Sequence, residues 1–230
     1  MAGATRALTD LFSLFGARRP SETTSPGASE LVLAQEPHHA TKALGRFLRY
    51  LQARDGPTLI DLGPVVGSNL TFFGEQLGCR IRVEDLFVDL ERHAKDGTLD
   101  ELPKFLGDRF PQPPETVDGI LCWDVFDFLD RRSADALATV LTRMLRPDGA
   151  LLGFFNTGEL RAQVYTKYVV VNESNLRYRT YPSARPRQRT LLNRDIIKLF
   201  EGLRVTDSFL LKNNVREILF RKPAYLSHGV

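Results

Sequence analysis

Short apolar runs alternate with helical patterns between residues 39 and 155, and this alternation is the main structural signal of the chain. The apolar runs have the length of buried strands, whereas the segments between them repeat apolar positions every three or four residues, as amphipathic helices do. Strands are predicted at 58–62, 79–83, 117–123 and 149–155, and helices at 39–53, 68–77, 86–95, 99–106 and 133–145. Gly78 is the predicted C-terminal cap of the second helix, and Ser133 the N-cap of the last. Strands that alternate with helices predict a doubly wound α/β domain with a mostly parallel sheet.

The pattern changes after Gly158, where strands follow one another. Residues 165–171 and 176–181 are rich in β-branched and aromatic residues and flank a polar turn, which predicts a β-hairpin insertion after strand five. A helix is predicted at 193–200. The runs 203–211 and 215–221 flank a Lys-Asn-Asn turn, and asparagine tolerates the positive φ of tight hairpins. The chain therefore predicts a sheet of six or seven strands that ends in an antiparallel hairpin.

The two ends of the chain differ from the rest. Residues 1–30 combine a short amphipathic pattern with a stretch rich in Pro, Ser and Thr, which predicts an N-terminal helix and a flexible linker. The helix either docks on its own domain or binds a partner, and docking is favoured because small apolar stripes usually bury locally. The predicted domain spans 31–224 with an insertion at 160–190, and 225–230 form a tail.

Composition narrows the classes of protein. A chain of 230 residues with 43% hydrophobic content can bury the core of one domain. No apolar run approaches the ~18 residues of a membrane-spanning helix, so we expect no membrane partner and a cytoplasmic location. The net charge of +3 is too small to indicate nucleic acid by itself. Cys79 and Cys122 are interpreted as reduced structural thiols. The pair His38-His39 is interpreted as solvated near a helix start, and no metal is expected.

The segment from Thr58 to Leu70 carries the clearest chemical signal. An apolar run ends in Asp61-Leu-Gly63 and reaches Gly67 where a helical pattern begins, which predicts a strand, a tight turn and a helix start. Glycine lets the backbone approach a ligand closely and adopt positive φ. This arrangement is the usual plan of a nucleotide-type cofactor site in an α/β domain.

The order of the elements from about residue 44 to 222 resembles that of class I S-adenosylmethionine-dependent methyltransferases, which have a Rossmann-like fold. Asp61, Gly63 and Gly67 match the acidic, glycine-rich first loop of that family, and Glu84 matches the carboxylate after its second strand. Residues 117–124 resemble its fourth strand, and 145–155 closely resemble its junction into strand five. The C-terminal antiparallel hairpin is a further family hallmark, which ordinary NAD-binding sheets lack.

The resemblance implies S-adenosylmethionine as the cofactor, with the first loop and Glu84 at the core of its site. A carboxylate at the end of strand two can accept both hydrogen bonds of a ribose diol. Asp85 is the alternative for that role if the strand ends one residue later, and it otherwise caps the next helix. Asp108 is a candidate for contact with the adenine, although an exposed helix-end charge is favoured. Trp123 either packs beside the adenine or belongs to the core.

The chain departs from the family in two places. Pro64 and Val65 occupy the middle of the first loop, where the family has a glycine, so the loop is stiffer. No third strand is evident, because residues 101–111 have the pattern of a helix followed by a loop. The first departure leaves open a non-catalytic module that retains only the fold.

The candidates for contact with the methyl acceptor follow strands four and five. Asp124 is the candidate catalytic group, either receiving a proton from the acceptor or holding the ammonium group of the cofactor, and Asp127 is a weaker candidate. Methyl transfer is a direct displacement, so the protein chiefly aligns the two reactants. The Asn/Asp-Pro-Pro-Tyr/Phe tetrapeptide of enzymes that methylate base amino groups is absent. A small-molecule acceptor is therefore favoured.

The predicted hairpin insertion supplies aromatic and basic residues. Tyr165, Tyr178, Arg179 and Tyr181 are the candidates for binding the acceptor. Five arginines between residues 177 and 189, with no acid among them, leave open an RNA-modifying enzyme. A solvated hairpin face and a basic loop are favoured over RNA, because charge runs are usually solvated.

Overall fold

The computed structural model describes residues 38–158, 163–188 and 190–224. The predicted N-terminal helix, linker and C-terminal tail lie outside the described residues, and the predicted domain limits stay predictions. Nine strands are described: β1 His38–Ala40, β2 Thr58–Asp61, β3 Arg80–Val83, β4 Val117–Trp123, β5 Leu145–Asn156, β6 Val164–Asn172, β7 Asn175–Pro182, β8 Arg204–Leu210 and β9 Val215–Arg221.

Six α-helices are described between these strands: α1 Leu44–Gln52, α2 Gly67–Leu70, α3 Leu86–Asp96, α4 Leu102–Asp108, α5 Arg131–Met144 and α6 Asn193–Leu199. Helix α2 continues as a π-helical turn over Thr71–Gln76, and a 3₁₀ turn covers Val125–Phe128. Gly78 follows the π-helical turn with φ of 65°, as predicted for a C-terminal cap. Within the described ranges, no helix has the length and apolarity that crossing a membrane requires.

The main sheet has six strands in the order β3-β2-β4-β5-β9-β8. Strands β3, β2, β4 and β5 are parallel, whereas β9 is antiparallel to both β5 and β8. The predicted doubly wound α/β fold and its C-terminal antiparallel hairpin are thereby confirmed. Residues 102–108 form α4, and among the described residues no strand pairs with the free edge of β3.

Both faces of the main sheet are covered, and alternate strand residues belong to different cores. On β4, Ile120 and Cys122 pack in one core with α3, α4, α5 and α6, whereas Leu121 and Trp123 pack in the other with α1 and the β6–β7 hairpin. Burial on both faces explains why this strand is a continuous apolar run in the sequence. Burial also raises the pKa of the Cys79 and Cys122 thiols, both of which are free.

The predicted hairpin insertion is present as β6 and β7, and β1 extends it into a small sheet of order β1-β7-β6. Asn69, which is 2% exposed, joins this sheet to the glycine loop. Its side-chain nitrogen donates to the carbonyl of Tyr168, and its side-chain oxygen accepts from the amide of Val170, each at 2.8 Å. The hairpin is therefore fixed directly over the start of α2.

Residues 39–53 were predicted as one helix, and this prediction is wrong at its start. His39 lies in β1, paired with Leu176, and α1 begins only at Leu44. The buried Glu217 side chain on β9 accepts hydrogen bonds from the amides of Lys42 and Ala43, both at 2.8 Å. A distant acid thus supplies the acceptor that a local N-cap residue usually supplies.

Two further boundaries differ from the prediction. Helix α5 begins at Arg131, and its N-cap is Asp130, whose side chain accepts from the amide of Ser133 at 2.9 Å. Ser133 is an interior, buried residue whose hydroxyl also bonds to Asp130. Strand β5 starts at Leu145 rather than Gly149, because Leu145 pairs with Val117 before a register shift.

Candidate functional site

The carboxyl ends of β2, β3 and β4 bring the predicted acids to one edge of the sheet. Asp61 ends β2, Glu84 follows β3, Trp123 ends β4, and Asp124 follows it. All four residues are buried. Ligands of open α/β sheets bind at this edge, so the predicted cofactor and acceptor residues occupy adjacent positions on the sheet.

Asp61 ties the first loop to the end of β4. Its Oδ1 atom accepts a hydrogen bond from the amide of Gly63 at 2.9 Å and from the Trp123 indole N–H at 2.6 Å. Burial raises the pKa of Asp61 to about 6, although both hydrogen bonds act in the opposite direction. Asp61 therefore organises the loop from a buried position.

The two loop glycines serve different purposes. Neither has positive φ, contrary to one of the reasons for expecting glycine there. An added Cβ on Gly63 would lie 2.6 Å from Cδ1 of Trp123, so this position needs glycine for close packing. An added Cβ on Gly67 would meet nothing within 4 Å among the described residues, and Val65 is 54% exposed. The outer side of the loop is thus open.

Glu84 is held by arginines on both carboxylate oxygens. Arg82 bonds to Oε1, and Arg109 at the end of α4 reaches Oε2 at 2.7 Å. Arg109 also binds Asp89 of α3 at 3.0 Å. Glu84 itself is 4% exposed. The carboxylate that is predicted to accept hydrogen bonds from the ribose therefore already accepts them from two arginines of the chain.

Asp85 and Asp108 occupy positions that explain them without a ligand. Asp85 is the N-cap of α3, accepting from the amides of Phe87 and Val88, and burial raises its pKa. Asp108 is an exposed residue at the end of α4, where it lines a cleft with His93 and Lys104. The structure thus gives each the simpler of its two predicted roles, and their part in cofactor binding stays a prediction.

Trp123 lies in the core and in an unusual backbone conformation. Its φ is 47°, which is rare for a large residue and is found where packing over-determines the backbone. The indole is 2% exposed and stacks on Tyr168, with ring centroids 5.0 Å apart and planes at 6°. Hairpin strand β6 therefore covers the end of β4.

Asp124 and Asp127 form a buried polar cluster with Arg187. The guanidinium lies 2.6 Å from Oδ2 of Asp124 and 3.9 Å from Oδ2 of Asp127. The Asn156 amide donates to Oδ2 of Asp127 at 3.0 Å. Burial raises the pKa of Asp124 and, together with the charge of Asp124, raises that of Asp127 well above its usual value.

The arginine-rich segment after β7 is not a solvated basic loop in its described part. Arg185 is 5% exposed and lies 3.5 Å from Asp130, and Arg187 is paired as above. The amide of Gln188 donates to the carbonyl of Asp127 at 2.7 Å. Arg189 lies outside the described residues. Both described arginines of this segment are thus engaged by acids of the chain.

The four predicted acceptor-binding residues do not share one face of the hairpin. Tyr165 pairs directly with Tyr181, and Arg179 lies on the same face by strand register. Tyr178 pairs with Tyr168 on the opposite face, where it also stacks on His39. Three of the four candidates are therefore together, and the fourth is packed towards the sheet.

Sequence reasoning did not place Asn69, Tyr168 or Arg187 at this edge, although Tyr168 and Arg187 belong to the aromatic and basic residues of the predicted insertion and its basic loop. The sequence does contain a signal for a buried cation. Asp124 and Asp127 lie among the apolar residues Val125, Phe126 and Phe128, which indicates that both acids are buried, and buried acids need a cation such as Arg187. Among the described residues, no three His, Cys, Asp or Glu side chains are placed to hold a metal ion.

The strand order, the antiparallel final strands and the acids at the ends of β2 and β3 agree with the predicted resemblance to class I S-adenosylmethionine-dependent methyltransferases, and the Rossmann-like fold that the resemblance implies is confirmed. The comparison with protein-family models finds no match, and neither does the comparison with curated proteins.

Solved structures of similar chains include the following three proteins. The 1,6-didemethyltoxoflavin-N1-methyltransferase of Burkholderia thailandensis, with bound 1,6-didemethyltoxoflavin and S-adenosylhomocysteine, is 15% identical over 85% of this chain and 82% of its own, at a TM-score of 0.49. An S-adenosylmethionine-dependent methyltransferase of Aquifex aeolicus is 15% identical over 84% and 97%, at 0.45. The [4+2]-cyclase SpnF is 11% identical over 79% and 80%, at 0.48.

Proposed function

We propose that the chain is an S-adenosylmethionine-dependent methyltransferase that acts on a small molecule. The observation that carries this proposal is the convergence of Asp61, Gly63 and Glu84 at the carboxyl edge of the sheet. The open outer side of the loop at Val65 and Gly67 supports it, because a ligand needs space against this backbone.

The residues fit the cofactor by their chemistry. Glu84 is a buried carboxylate that already accepts hydrogen bonds from N–H donors. It can therefore accept hydrogen bonds from a ribose diol when Arg82 or Arg109 moves away from it. Asp61 holds the loop in position through the Gly63 amide. When bound, the cofactor supplies an electrophilic methyl group on a sulfonium. The chain contributes alignment, exclusion of water by β6, and Asp124 as a proton acceptor.

A second function, a non-catalytic binding module with the same fold, is supported by a specific observation. Glu84 is satisfied by Arg82 and Arg109, and the Trp123 indole lies against Gly63. In this alternative, the two arginines and the indole occupy the positions that a bound cofactor would fill.

Calorimetric titration with S-adenosylmethionine and S-adenosylhomocysteine separates the two functions. Binding is expected for the full chain, and Glu84→Gln is expected to weaken it by about 10- to 100-fold, the equivalent of losing one or two hydrogen bonds to a charged group. Glu91→Gln on α3, where Glu91 pairs only with Lys95 among the described residues, is the matched control and should not change the affinity. A folded wild-type protein that binds neither compound supports the non-catalytic module, and unchanged affinity in Glu84→Gln rejects the ribose role.

A further inference from the structure

The first turn of α2, which follows directly from the glycine loop, has one buried side chain, and that side chain is polar. Of the four residues Gly67–Leu70, only Asn69 is buried. The N-cap residue Val66 makes no side-chain hydrogen bond to the turn, and Leu70 is 37% exposed. Helices are usually held by an apolar face. Here the contacts of Asn69 hold the turn, and with it the end of the loop.

Asn69 binds the outer edge of the hairpin. Strand β6 is the last strand of the small sheet β1-β7-β6, so its outer backbone groups have no strand partner among the described residues. The carbonyl of Tyr168 and the amide of Val170 point to the same side of β6, because they are two residues apart. Asn69 donates to the first and accepts from the second, both at 2.8 Å. Its side-chain amide thus takes the place of a neighbouring strand.

The residue type matters for this bridge. A backbone carbonyl only accepts a hydrogen bond and a backbone amide only donates one, so the bridging side chain must do both. Asparagine carries a donor and an acceptor side by side, whereas leucine has a similar shape and neither group. Because Asn69 is 2% exposed, water does not replace a lost partner. The attachment of α2 to β6 therefore depends on the amide group of Asn69.

A second connection joins the start of the loop to the same strand. The Trp123 indole donates to Asp61, and its ring stacks on Tyr168. The loop is thus connected to β6 near its start through Trp123 and after its end through Asn69. Between these two connections Val65 is exposed. A movement of β6 away from the main sheet would release the loop at both ends.

We infer that Asn69 is a positioning residue, which makes the position of the glycine loop depend on attachment of the β6–β7 hairpin. Ligand binding at the loop and attachment of the hairpin are then coupled, and by linkage each strengthens the other by the same factor. The inference rests on the proposed function only in naming S-adenosylmethionine as the ligand of the loop. It gives the hairpin a role in cofactor binding that requires no contact between its side chains and the cofactor.

Hydrogen exchange without ligand tests the bridge itself. Asn69→Leu removes the donor and the acceptor, which leaves the carbonyl of Tyr168 and the amide of Val170 without partners. Amides in 70–76 and in 164–172 are expected to exchange at least about tenfold faster than in the wild type, because each segment loses its attachment to the other. Unchanged exchange in 70–76 would overturn the inference, since α2 would then be held without Asn69.

The matched control lies at the far end of the same hairpin. Asn172 accepts hydrogen bonds from the amide of Ser174 and the side chain of Asn175. Asn172→Ala therefore removes polar contacts of the hairpin and none of the bridge. Exchange in 70–76 and the affinity for S-adenosylhomocysteine should both stay unchanged in this variant. Changes as large as those in Asn69→Leu would show that general hairpin stability, and not the bridge, positions the loop.

Calorimetric titration with S-adenosylhomocysteine tests the coupling. Asn69→Leu is expected to bind it about tenfold more weakly than the wild type, and the bound compound should slow exchange in 164–172 of the wild type. Unchanged affinity in a folded Asn69→Leu protein would overturn the inference. If that variant does not fold, the wild type decides, and a hairpin that gains no protection overturns it. A wild-type protein that does not bind the compound rejects the proposed function alone, and the exchange comparison without ligand then decides the inference.

Discussion

Glu84 and Asp124 are both buried carboxylates at the carboxyl edge of one sheet, but the arginines that hold them differ. Glu84 is held on both oxygens by Arg82 and Arg109, whose side chains are 53% and 25% exposed. Asp124 is held on one oxygen by Arg187, whose side chain is 16% exposed. Both oxygens of the first carboxylate have arginine partners that are partly exposed, whereas one oxygen of the second has no hydrogen-bond partner among the described residues.

This difference separates the energetic roles of the two regions. A solvated arginine exchanges its partner for water at small cost, so a ligand can replace it on Glu84. A buried arginine cannot leave without exposing unpaired charge to a low-dielectric environment. We therefore expect the Glu84 region to govern binding of the cofactor with little effect on folding, and the Asp124 region to affect both folding and specificity.

The largest expected effect comes from removing the buried arginine. Arg187→Met should lower the free energy of unfolding by about 3–5 kcal/mol, because Asp124 loses its cation while remaining buried. Arg109→Met is the matched variant on the other side and should cost only about 1 kcal/mol, since Arg82 stays on Glu84 and Arg92 stays on Asp89. Denaturant unfolding followed by circular dichroism measures both values. Equal losses would show that the two regions do not differ as described.

The pH dependence of stability tests the cofactor side. Asp61 has a pKa of about 6 in the folded protein, against about 3.9 in an unfolded chain. The folded state therefore binds more protons between these values, so the free energy of unfolding falls as pH rises from about 4 to 6, by about 3 kcal/mol from this group. Asp61→Asn keeps an acceptor for Gly63 and Trp123 and should remove that part of the slope. Unfolding curves at several pH values measure it, with Asp135→Asn as the control, and an unchanged slope in Asp61→Asn would contradict the assignment.

The smallest expected effects distinguish the two loop glycines. Gly63→Ala should cost about 1–3 kcal/mol, because its Cβ would overlap the Trp123 ring. Gly67→Ala meets no described atom within 4 Å and should change stability by less than about 0.5 kcal/mol. Thermal unfolding measures both. If Gly67→Ala nevertheless weakens binding of S-adenosylmethionine, the open side of the loop is the ligand side, and unchanged binding would place the ligand elsewhere.

The fold was predictable because it depends on patterns local in sequence. The apolar run of β4 predicts a strand because that strand is buried on both faces. The Asn-Asn pair before β9 predicts a turn because asparagine tolerates positive φ. The helix boundaries were less predictable. Helix α1 starts where Glu217, 174 residues from Ala43, accepts its free amides, and no local signal encodes that acceptor.

The candidate site was predictable only in its acids. Asp61, Glu84 and Asp124 follow strands, and the carboxyl ends of parallel strands meet at one edge. Their partners were not predictable, because Arg109 and Arg187 arrive from a helix end and from the segment after β7. An arginine in a polar loop has the same local pattern whether it is solvated or buried.

The sequence by itself determined the parallel sheet, the antiparallel final strands, and the positions of Asp61, Gly63 and Glu84. Each depends on hydrophobic periodicity or on a turn, which act over a few residues. Only the tertiary structure decided that Gly63 serves packing against Trp123, that Glu84 is held by two arginines, and that Arg187 is buried with Asp124 and Asp127. These facts depend on contacts between distant segments, where burial, and not residue type, sets the cost of a charge and the need for a partner.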